Sequence, residues 1–379
     1  MKKIVALLKK EPMLWVSLGA AAAALVITPP TWDLIGEIDW KTLAILLMML
    51  TVLEGFKKEN IFQPVIRLSS RFRTMTGLSL FLVFGVFFSS MFVTNDVSLL
   101  IFVPLTILLF RSAGREERIL PVISMENIAA VRGSMLTPFG SPQNLFLFGH
   151  SGVTAWEFML HMLPLWVLSG LLLAGYVLLL YRKERGREVQ FPREAGEEKE
   201  GNKGKRTLYL VLFGILLFTI VSRTELWPWV TLGVMGAVVV FDRKVLLKTD
   251  YVLLLTFLCF FVFSSSIAAN GTISAFLTRT VAGREYWAGI LLSQVISNVP
   301  ASIVLYPFST NLAGLLYGVD TAGLCTVIGS LASVINFRIY VREYPGQGGK
   351  FLKVFTLVSL IFFAVVVLPG YLLGLWWRF

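Results

Sequence analysis

The stretch ISNVPASIVLYP, residues 296–307, places Ser297, Asn298 and Pro300 together inside one of the most apolar regions of the chain. A second apolar region contains VTNDVSLLIFVP, residues 93–104. Lipid does not satisfy bare backbone groups, so a helix is interrupted at membrane depth only where protein or a water-filled cavity covers the break. Both stretches therefore predict broken helices within a membrane, where polar groups can form a binding site.

The composition of the whole chain is that of a polytopic membrane protein. Of its 379 residues, 56% are hydrophobic and 15% are charged, and the mean hydropathy is +0.75. A soluble domain of this length needs more charge to cover its surface. The net charge of +11 falls in short patches between apolar runs, which is typical of topogenic loops and argues against a nucleic-acid partner. The two cysteines, Cys259 and Cys325, lie in separate apolar segments and predict neither a disulfide nor a metal site.

Hydropathy divides the chain into spans of two kinds. Uninterrupted spans are predicted near 13–29, 39–56, 162–181, 207–222, 229–241, 250–269 and 352–376. Interrupted apolar regions are predicted at 75–110, 119–149, 286–317 and 321–341. We predict an integral protein of a prokaryotic-type cytoplasmic (inner) membrane. The lysines and arginines between the spans predict that the N-terminus lies inside and the C-terminus outside. The N-terminal segment is interpreted as an uncleaved first span.

The two halves of the chain can be aligned with each other in opposite orientation. In the same order, four pairs of segments correspond: 39–41 with 249–251, 55–62 with 266–273, 93–105 with 296–308, and 140–146 with 329–337. We therefore predict an all-α polytopic membrane protein of two inverted-topology repeats, each with a re-entrant helical hairpin and a discontinuous helix. The predicted units are an N-terminal span and outer loop at 1–38, a first repeat at 39–181, a cytoplasmic linker at 182–206, connecting spans at 207–248 and a second repeat at 249–379.

The polar residues at the interruptions are the predicted substrate- and ion-binding residues. They are Thr94, Asn95, Asp96, Ser98, Ser141, Pro142, Gln143, Asn144, Ser297, Asn298, Val299, Pro300 and Asn336. Asparagine, serine and threonine can cap the half-helices, and positive helix ends attract anions, whereas unwound carbonyls bind sodium. Asn95, Asp96 and Asn298 are candidate Na⁺ ligands.

Asp96 has two readings, as a helix cap or as the residue that carries a coupling proton or ligates a cation. For Glu126 and Arg132 the sequence favours a structural ion pair. His150 and His161 are interpreted as interfacial residues near the outer face.

Several familiar chemistries lack their motif in this sequence. GxxxxGK[ST], HExxH and GxSxG do not occur, and neither does a TVGYG-like filter. The sequence therefore predicts neither an ATP-driven pump nor an enzyme, and no cofactor other than a coupling ion, Na⁺ or H⁺.

TNDVSLLIFVPL, TPFGSPQNLF and SNVPASIVLYP resemble motifs of the ion transporter superfamily, a clan of citrate-transporter-like proteins, arsenite permeases and divalent anion:sodium symporters. The resemblance covers residues 39–376 and is greatest to an anion-permease branch. It implies a scaffold and a mobile transport domain, elevator motion and a homodimer. Symporters of this clan carry the motif Ser-Asn-Thr at each hairpin tip. The corresponding residues in this sequence are Thr94-Asn95-Asp96 and Ser297-Asn298-Val299. The pair Asn95-Asp96 is similar to the Asn-Asp motif of arsenite permeases.

These features predict a secondary active transporter for a small inorganic or organic anion, coupled to a proton or sodium gradient, with the lipid bilayer and a small ion as its partners. One alternative is a sodium/proton antiporter that uses Asp96. A minor alternative is an arsenite or metalloid efflux permease.

Overall fold

The computed structural model describes residues 12–30, 33–61, 68, 72–183 and 202–377. Most of the predicted linker at 182–206 lies outside these residues. In the described part of the chain, the regular structure is helical. The helices are α1 (Pro12–Ile27), α2 (Asp33–Glu37), α3 (Trp40–Lys58), α4 (Met75–Val93), α5 (Asn95–Ser112), α6 (Ile119–Ser134), α7 (Pro142–Ser151), α8 (Ala155–Leu180), α9 (Lys203–Ser222), α10 (Trp227–Leu246), α11 (Tyr251–Ala269), α12 (Gly271–Val281), α13 (Glu285–Ile296), α14 (Asn298–Leu305), α15 (Leu312–Ala322), α16 (Leu331–Glu343) and α17 (Gly348–Trp376).

Six of the described helices are long and apolar enough to cross a membrane: α4, α5, α8, α9, α11 and α17. Their outward faces carry large apolar side chains such as Leu171, Phe218 and Leu357, which are more than half exposed and suit contact with lipid. The predicted all-helical membrane architecture is therefore confirmed. The helices α1, α3 and α10 lie at the remaining predicted spans, 13–29, 39–56 and 229–241.

Two long helices begin in the same way. The Asp39 carboxylate accepts a hydrogen bond from the backbone N–H of Thr42 at the start of α3, and Asp250 accepts one from Leu253 at the start of α11. The backbone angles also agree, with φ −74° and ψ 77° at Asp39 against φ −79° and ψ 80° at Asp250. Each carboxylate satisfies orphan N–H groups at a helix start.

The interruptions also agree in pairs. The chain breaks between α4 and α5 at Thr94, with φ 68° and ψ 157°, and between α13 and α14 at Ser297, with φ 71° and ψ 159°. Ser141, before α7, has φ −150° and ψ 155°, and Ser330, before α16, has φ −149° and ψ 141°. We call Thr94 and Ser297, with the turns around them, tip 1 and tip 2, and we call residues 135–141 and 323–330 break 1 and break 2.

The helices on the two sides of each tip differ in length. The 19 and 18 residues of α4 and α5 extend about 28 and 27 Å, whereas the 12 and 8 residues of α13 and α14 extend about 18 and 12 Å. Only the second pair is too short to cross a bilayer. Re-entry of the first pair therefore stays a prediction.

One helix boundary differs from the expected one. The second broken helix was predicted to begin at 321, but its first helix, α15, begins at Leu312. Residues 312–317, which were predicted to belong to the hairpin at 286–317, are therefore part of α15. The reason is a cap, since the Asn311 carboxamide oxygen accepts from the backbone N–H of Gly314 at 3.0 Å.

Two clusters of charge mark the opposite faces of the molecule. At the lysine face, Asp242 of α10 contacts Lys58 at 2.5 Å and Lys205 at 3.2 Å, and it accepts a hydrogen bond from Tyr209. At the Asp39 face, Lys41 binds Glu225 at 3.0 Å. The helices α3, α9 and α10 join the two faces and pack together.

Candidate functional site

Each tip is a buried, non-glycine residue in a backbone conformation that glycine alone adopts readily. Thr94 is 7% exposed and Ser297 is 8% exposed. Positive φ with ψ near 160° costs roughly 1–3 kcal/mol for a residue with a side chain, and such strain concentrates at functional sites. Neither hydroxyl caps the helix that follows, contrary to the expectation for these positions. At tip 1 the carboxamide oxygen of Asn95 instead accepts from the N–H of Asp96 at 2.9 Å.

Replacing Ser297 by glycine should raise the thermal stability of the protein. Glycine reaches this conformation without the clash of a Cβ, and relief of the strain should exceed the entropy that glycine adds to the unfolded chain, a net gain of about 1 kcal/mol. Thermal unfolding in detergent measures the change. Ser302→Gly in α14, the helix that follows tip 2, is the matched control and should lower stability by about 1 kcal/mol, because Ser302 is helical and donates to the carbonyl of Val299. Equal losses in both variants would show that tip 2 is not strained.

Each tip packs against the break that follows it in sequence. The Thr137 hydroxyl in break 1 donates to the carbonyl of Met91 at 2.5 Å. At tip 2, Gln294 donates to the carbonyl of Ala322 at 3.2 Å and accepts from the Thr326 hydroxyl of break 2 at 2.8 Å. Each tip and the break that follows it therefore shield each other's non-helical backbone from lipid, as irregular structure within a membrane requires.

Side chains at the start of α7 hold break 1 in shape. Ser141 caps the helix as predicted, accepting from the N–H of Asn144 at 3.4 Å, and Pro142 occupies the first turn. The Asn144 amide nitrogen contacts the carbonyls of Ser134, Met135 and Thr137 at 3.2–3.3 Å. Gln143 extends the other way and donates to Asp320 of α15 at 2.9 Å.

Several buried polar atoms at the tips have no partner within the described part of the protein. They are the hydroxyl of Ser297, the amide nitrogen of Asn298 and one carboxylate oxygen of Asp96. Asn298 is 1% exposed at the start of α14. A buried polar atom without a hydrogen bond in a native protein points to a bound ion, ligand or water. These atoms are therefore available to a small polar substrate.

The predicted residues fall into two groups. Thr94 is tip 1 itself, and Asn95 to Ser98 lie on α5, which packs against α16, the helix that carries Asn336. Ser297 to Pro300 lie at tip 2 and on α14, which packs against α7 with its Ser141-to-Asn144 start. No hydrogen bond joins the 94–98 and 297–300 segments, all of whose residues the structure describes.

The remaining predicted residues have protein partners. The hydroxyl of Ser98 accepts from Ser89 at 2.9 Å, and the Asn336 amide donates to the carbonyl of Ile123 at 2.7 Å. Val299 and Pro300 are buried in the first turn of α14.

The buried charges of the core were not among the predicted site residues. Arg132, at the end of α6, is fully buried, and one terminal nitrogen contacts the Met135 sulfur at 3.6 Å. Its expected ion pair with Glu126 is not formed, because Glu126 accepts from the Thr106 hydroxyl. Asp320, 1% exposed, is a second buried charge, and it accepts the hydrogen bond from Gln143. A lone acid in the apolar run LAGLLYGVDTAG is the sequence signal that identifies it.

A cavity of about 310 Å³ opens at the Asp39 face. Its walls come from α7, α11 and α14, and its polar lining includes Glu37, Asp39, His150, Ser264 and Tyr306. The His150 ring lies 3.8 Å from the Asp39 carboxylate, so the two side chains line the cavity together. The cavity lies beside α14, the helix that begins at tip 2.

Comparison with known proteins is consistent with this architecture. Residues 4–329 match the model of the citrate transporter family. The inner membrane protein YbiR of Escherichia coli (strain K12) is 31% identical over 320 residues, 82% of each chain. The uncharacterized transporter MJ0456 of Methanocaldococcus jannaschii is 27% identical over 357 residues, 94% of this chain and 96% of that one.

The similarity extends to a solved structure. The crystal structure of the Alcanivorax borkumensis YdaH transporter, described as having an unusual topology, superposes with a TM-score of 0.54 over 96% of both chains. At 15% identity this likeness concerns the fold alone.

Proposed function

Because this chain belongs to the citrate transporter family and is a membrane transporter, we propose that it is a secondary active transporter for a small inorganic or organic anion. Transport is coupled to a proton or sodium gradient across the cytoplasmic membrane and needs no other cofactor. The observation that carries the proposal is the pair of buried tips, Thr94 and Ser297, held in one strained backbone conformation beside unpartnered polar atoms. Strain of this kind persists where a site requires it.

We propose that the two halves are inverted repeats, with the lysine face inside and the Asp39 face outside. The agreement of backbone angles at three positions supports the repeats: Asp39 with Asp250, Thr94 with Ser297, and Ser141 with Ser330. Lysines end α3, as positive-inside loops do. The proposed motion is an elevator movement of the tips and breaks against α3, α9 and α10, in a homodimer.

In this proposal the anion binds at tip 2 and the start of α7. Asn298 and Ser297 supply a free amide and hydroxyl, and the starts of α7 and α14 supply N–H groups and positive helix ends. The oxygens of Asn95 and Asp96 at tip 1 and of Asn298 at tip 2 are the candidate ligands for sodium.

A sodium/proton antiporter is the second candidate, and one feature favours it. A carboxylate oxygen of Asp96 is buried without a hydrogen-bond partner, on the first turn of a membrane helix. Ionisable groups inside membranes commonly mark ion pathways. Proton movement driven by sodium in the absence of any anion would support this alternative.

The test is the thermal stability of the detergent-purified protein across a panel of ions. The panel compares sodium with choline at several pH values and adds arsenite, silicate, sulfate, phosphate, citrate and dicarboxylates one at a time. A ligand at a hundred times its dissociation constant should add about 2.7 kcal/mol to the free energy of unfolding. We expect at least one anion to raise the melting temperature.

The variants Asn298→Ala and Asp96→Asn separate the candidates. Stabilisation by an anion that Asn298→Ala loses would support anion transport at tip 2. Stabilisation by sodium or pH alone, lost in Asp96→Asn, would replace this function with cation exchange. A response to arsenite alone would point to metalloid efflux.

A further inference from the structure

The cavity at the Asp39 face lies where three helices end. Its lining includes His150 in the last turn of α7, Ala268 in the last turn of α11 and Ile303 in the last turn of α14. The last turn of a helix carries carbonyl groups without intrahelical partners and a partial negative charge, which favours cations. Three such ends around one cavity therefore give it a negative potential.

The charged side chains of the cavity add to this potential. Glu37 and Asp39 line the cavity, whereas no lysine or arginine of the described part of the chain does. Lys41 and Arg223 line an adjoining cavity of about 140 Å³ instead, where Lys41 binds Glu225 at 3.0 Å and Arg223 donates to a carbonyl of α7 at 2.6 Å. A cleft of one sign with apolar walls concentrates ions of the opposite sign.

Four aromatic rings belong to the wall of the cavity. The ring centre of Phe146 lies 4.7 Å from that of His150, 5.5 Å from that of Phe261 and 5.4 Å from that of Tyr306. The ring planes of these pairs are inclined at 58–77°, so the rings meet at angles, as the sides of a box do. Ring faces attract cations within about 6 Å, and more strongly where water is excluded.

We propose that this cavity is a binding site for an organic ammonium cation. Within the described residues, no group of three or more histidine, cysteine, aspartate or glutamate side chains could hold a metal ion. A metal cation needs several oxygen ligands at short distance, whereas an alkylammonium ion is held by a negative field and by contact with aromatic rings. The volume of about 310 Å³ lies at the small end of the range for ligand pockets and suits a cation of the size of choline.

This site is separate from the proposed anion site but shares two helices with it. The starts of α7 and α14 border the proposed anion site, and the ends of the same helices border the cavity. The 10 residues of α7 extend about 15 Å and the 8 residues of α14 about 12 Å. An anion at the positive helix ends and a cation at the negative ends both agree with the direction of the helix dipoles.

The test is isothermal titration calorimetry of the detergent-purified protein with choline and with dimethylbutanol, the uncharged isostere in which carbon replaces the nitrogen. The titration is run at about pH 8.5, where imidazole is commonly neutral. Choline should bind at a single site, and dimethylbutanol should bind at least about tenfold more weakly, because the field and the rings attract the charge. Equal affinities, or no binding of choline, would overturn the proposal.

Removal of one ring locates the bound cation. Tyr306→Leu should weaken choline binding by about 2- to 30-fold, the range for loss of one cation–π contact. Tyr371→Leu is the matched control and should keep the affinity, because Tyr371 is also half-buried, with its ring 5.5 Å from that of Tyr286, but does not line the cavity. If Tyr306→Leu does not fold, Phe261→Leu takes its place. Unchanged affinity in the ring variant would overturn the site.

Removal of the carboxylates tests the contribution of charge. Glu37→Gln and Asp39→Asn should each weaken choline binding about fivefold, less at high salt. Asparagine caps helices as well as aspartate does, so Asp39→Asn should keep the start of α3. Glu225→Gln, which removes an acid of the same face that does not line the cavity, should bind choline as before. Equal losses in all three variants would indicate a general surface effect and would overturn this cavity as the site.

The result can be separated from that of the ion panel. Anions in the panel are compared at one fixed cation, so their effects stand whether or not choline binds. If choline binds, potassium takes its place as the substitute for sodium. Failure of every anion to stabilise the protein would leave the cation site standing, and failure of choline to bind would leave the anion site standing.

Discussion

Asn298→Ala should abolish transport and leave the protein folded. Its amide nitrogen has no partner among the residues that the structure describes, so truncation breaks no hydrogen bond of that nitrogen there. If the amide instead donates to a charged substrate, its loss costs about 1.5–3 kcal/mol of binding, roughly a 10- to 150-fold loss of affinity, which abolishes uptake at substrate concentrations near the dissociation constant of the unaltered protein. Uptake into proteoliposomes, together with thermal unfolding of the same preparation, measures both quantities.

Asn270→Ala is the matched control for this experiment. Asn270 caps α12, accepting from the N–H of Ile273 at 3.2 Å, and lies outside the site. Its replacement should lower stability by about 1 kcal/mol and leave transport unchanged, whereas Asn298→Ala should keep its stability and lose transport. Normal transport by Asn298→Ala would remove tip 2 from the binding site.

Gly133→Val should prevent the transporter from folding correctly. Gly133 lies where α6 crosses α4, and a Cβ at this position would be 1.9 Å from the carbonyl oxygen of Phe87 and 2.4 Å from the hydroxyl of Ser90. The near atom is backbone, so the two helices must separate. Overpacking of a core commonly costs 1–3 kcal/mol, and displaced backbone should bring the loss here to about 3 kcal/mol or more.

The measurement is the yield and melting temperature of monodisperse protein in detergent. Gly214→Ala on α9 is the control, because a Cβ there meets nothing within 4 Å and alanine favours the helix by about 1 kcal/mol. We expect that variant to be at least as stable as the unaltered protein. A well-folded Gly133→Val would show that α4 and α6 do not pack this closely.

Local patterns in the sequence predicted much of this architecture. Apolar runs located the long helices, and the Asn-Pro and Ser-Pro clusters located tip 2 and break 1, because these signals depend on residues adjacent in sequence. The cap at Ser141 followed from the same logic. The start of α15 was missed although the polar cluster Ser309-Thr310-Asn311, of the kind that precedes a helix, stands directly before it.

The hydrogen-bond partners of the buried polar residues could not be predicted from their spacing in the sequence. Asn144 contacts three carbonyls of break 1, and Gln143 reaches Asp320 in the other half of the chain. The Arg132–Glu126 pair was expected from nearness in sequence, yet Glu126 bonds Thr106. Such contacts depend on how helices far apart in sequence are arranged in space.

The hydrogen bonds that join helices of the two halves beside the breaks have a mechanical consequence. Gln143 with Asp320, Asn127 with Ser333, and Asn336 with the carbonyl of Ile123 each join a helix of one half to a helix of the other. These hydrogen bonds lie in the buried core, where breaking any of them would leave polar groups without a hydrogen-bond partner. Neither half can thus swing open alone at low cost. In the proposed elevator movement, the helices that these bonds join should therefore move together as one rigid body.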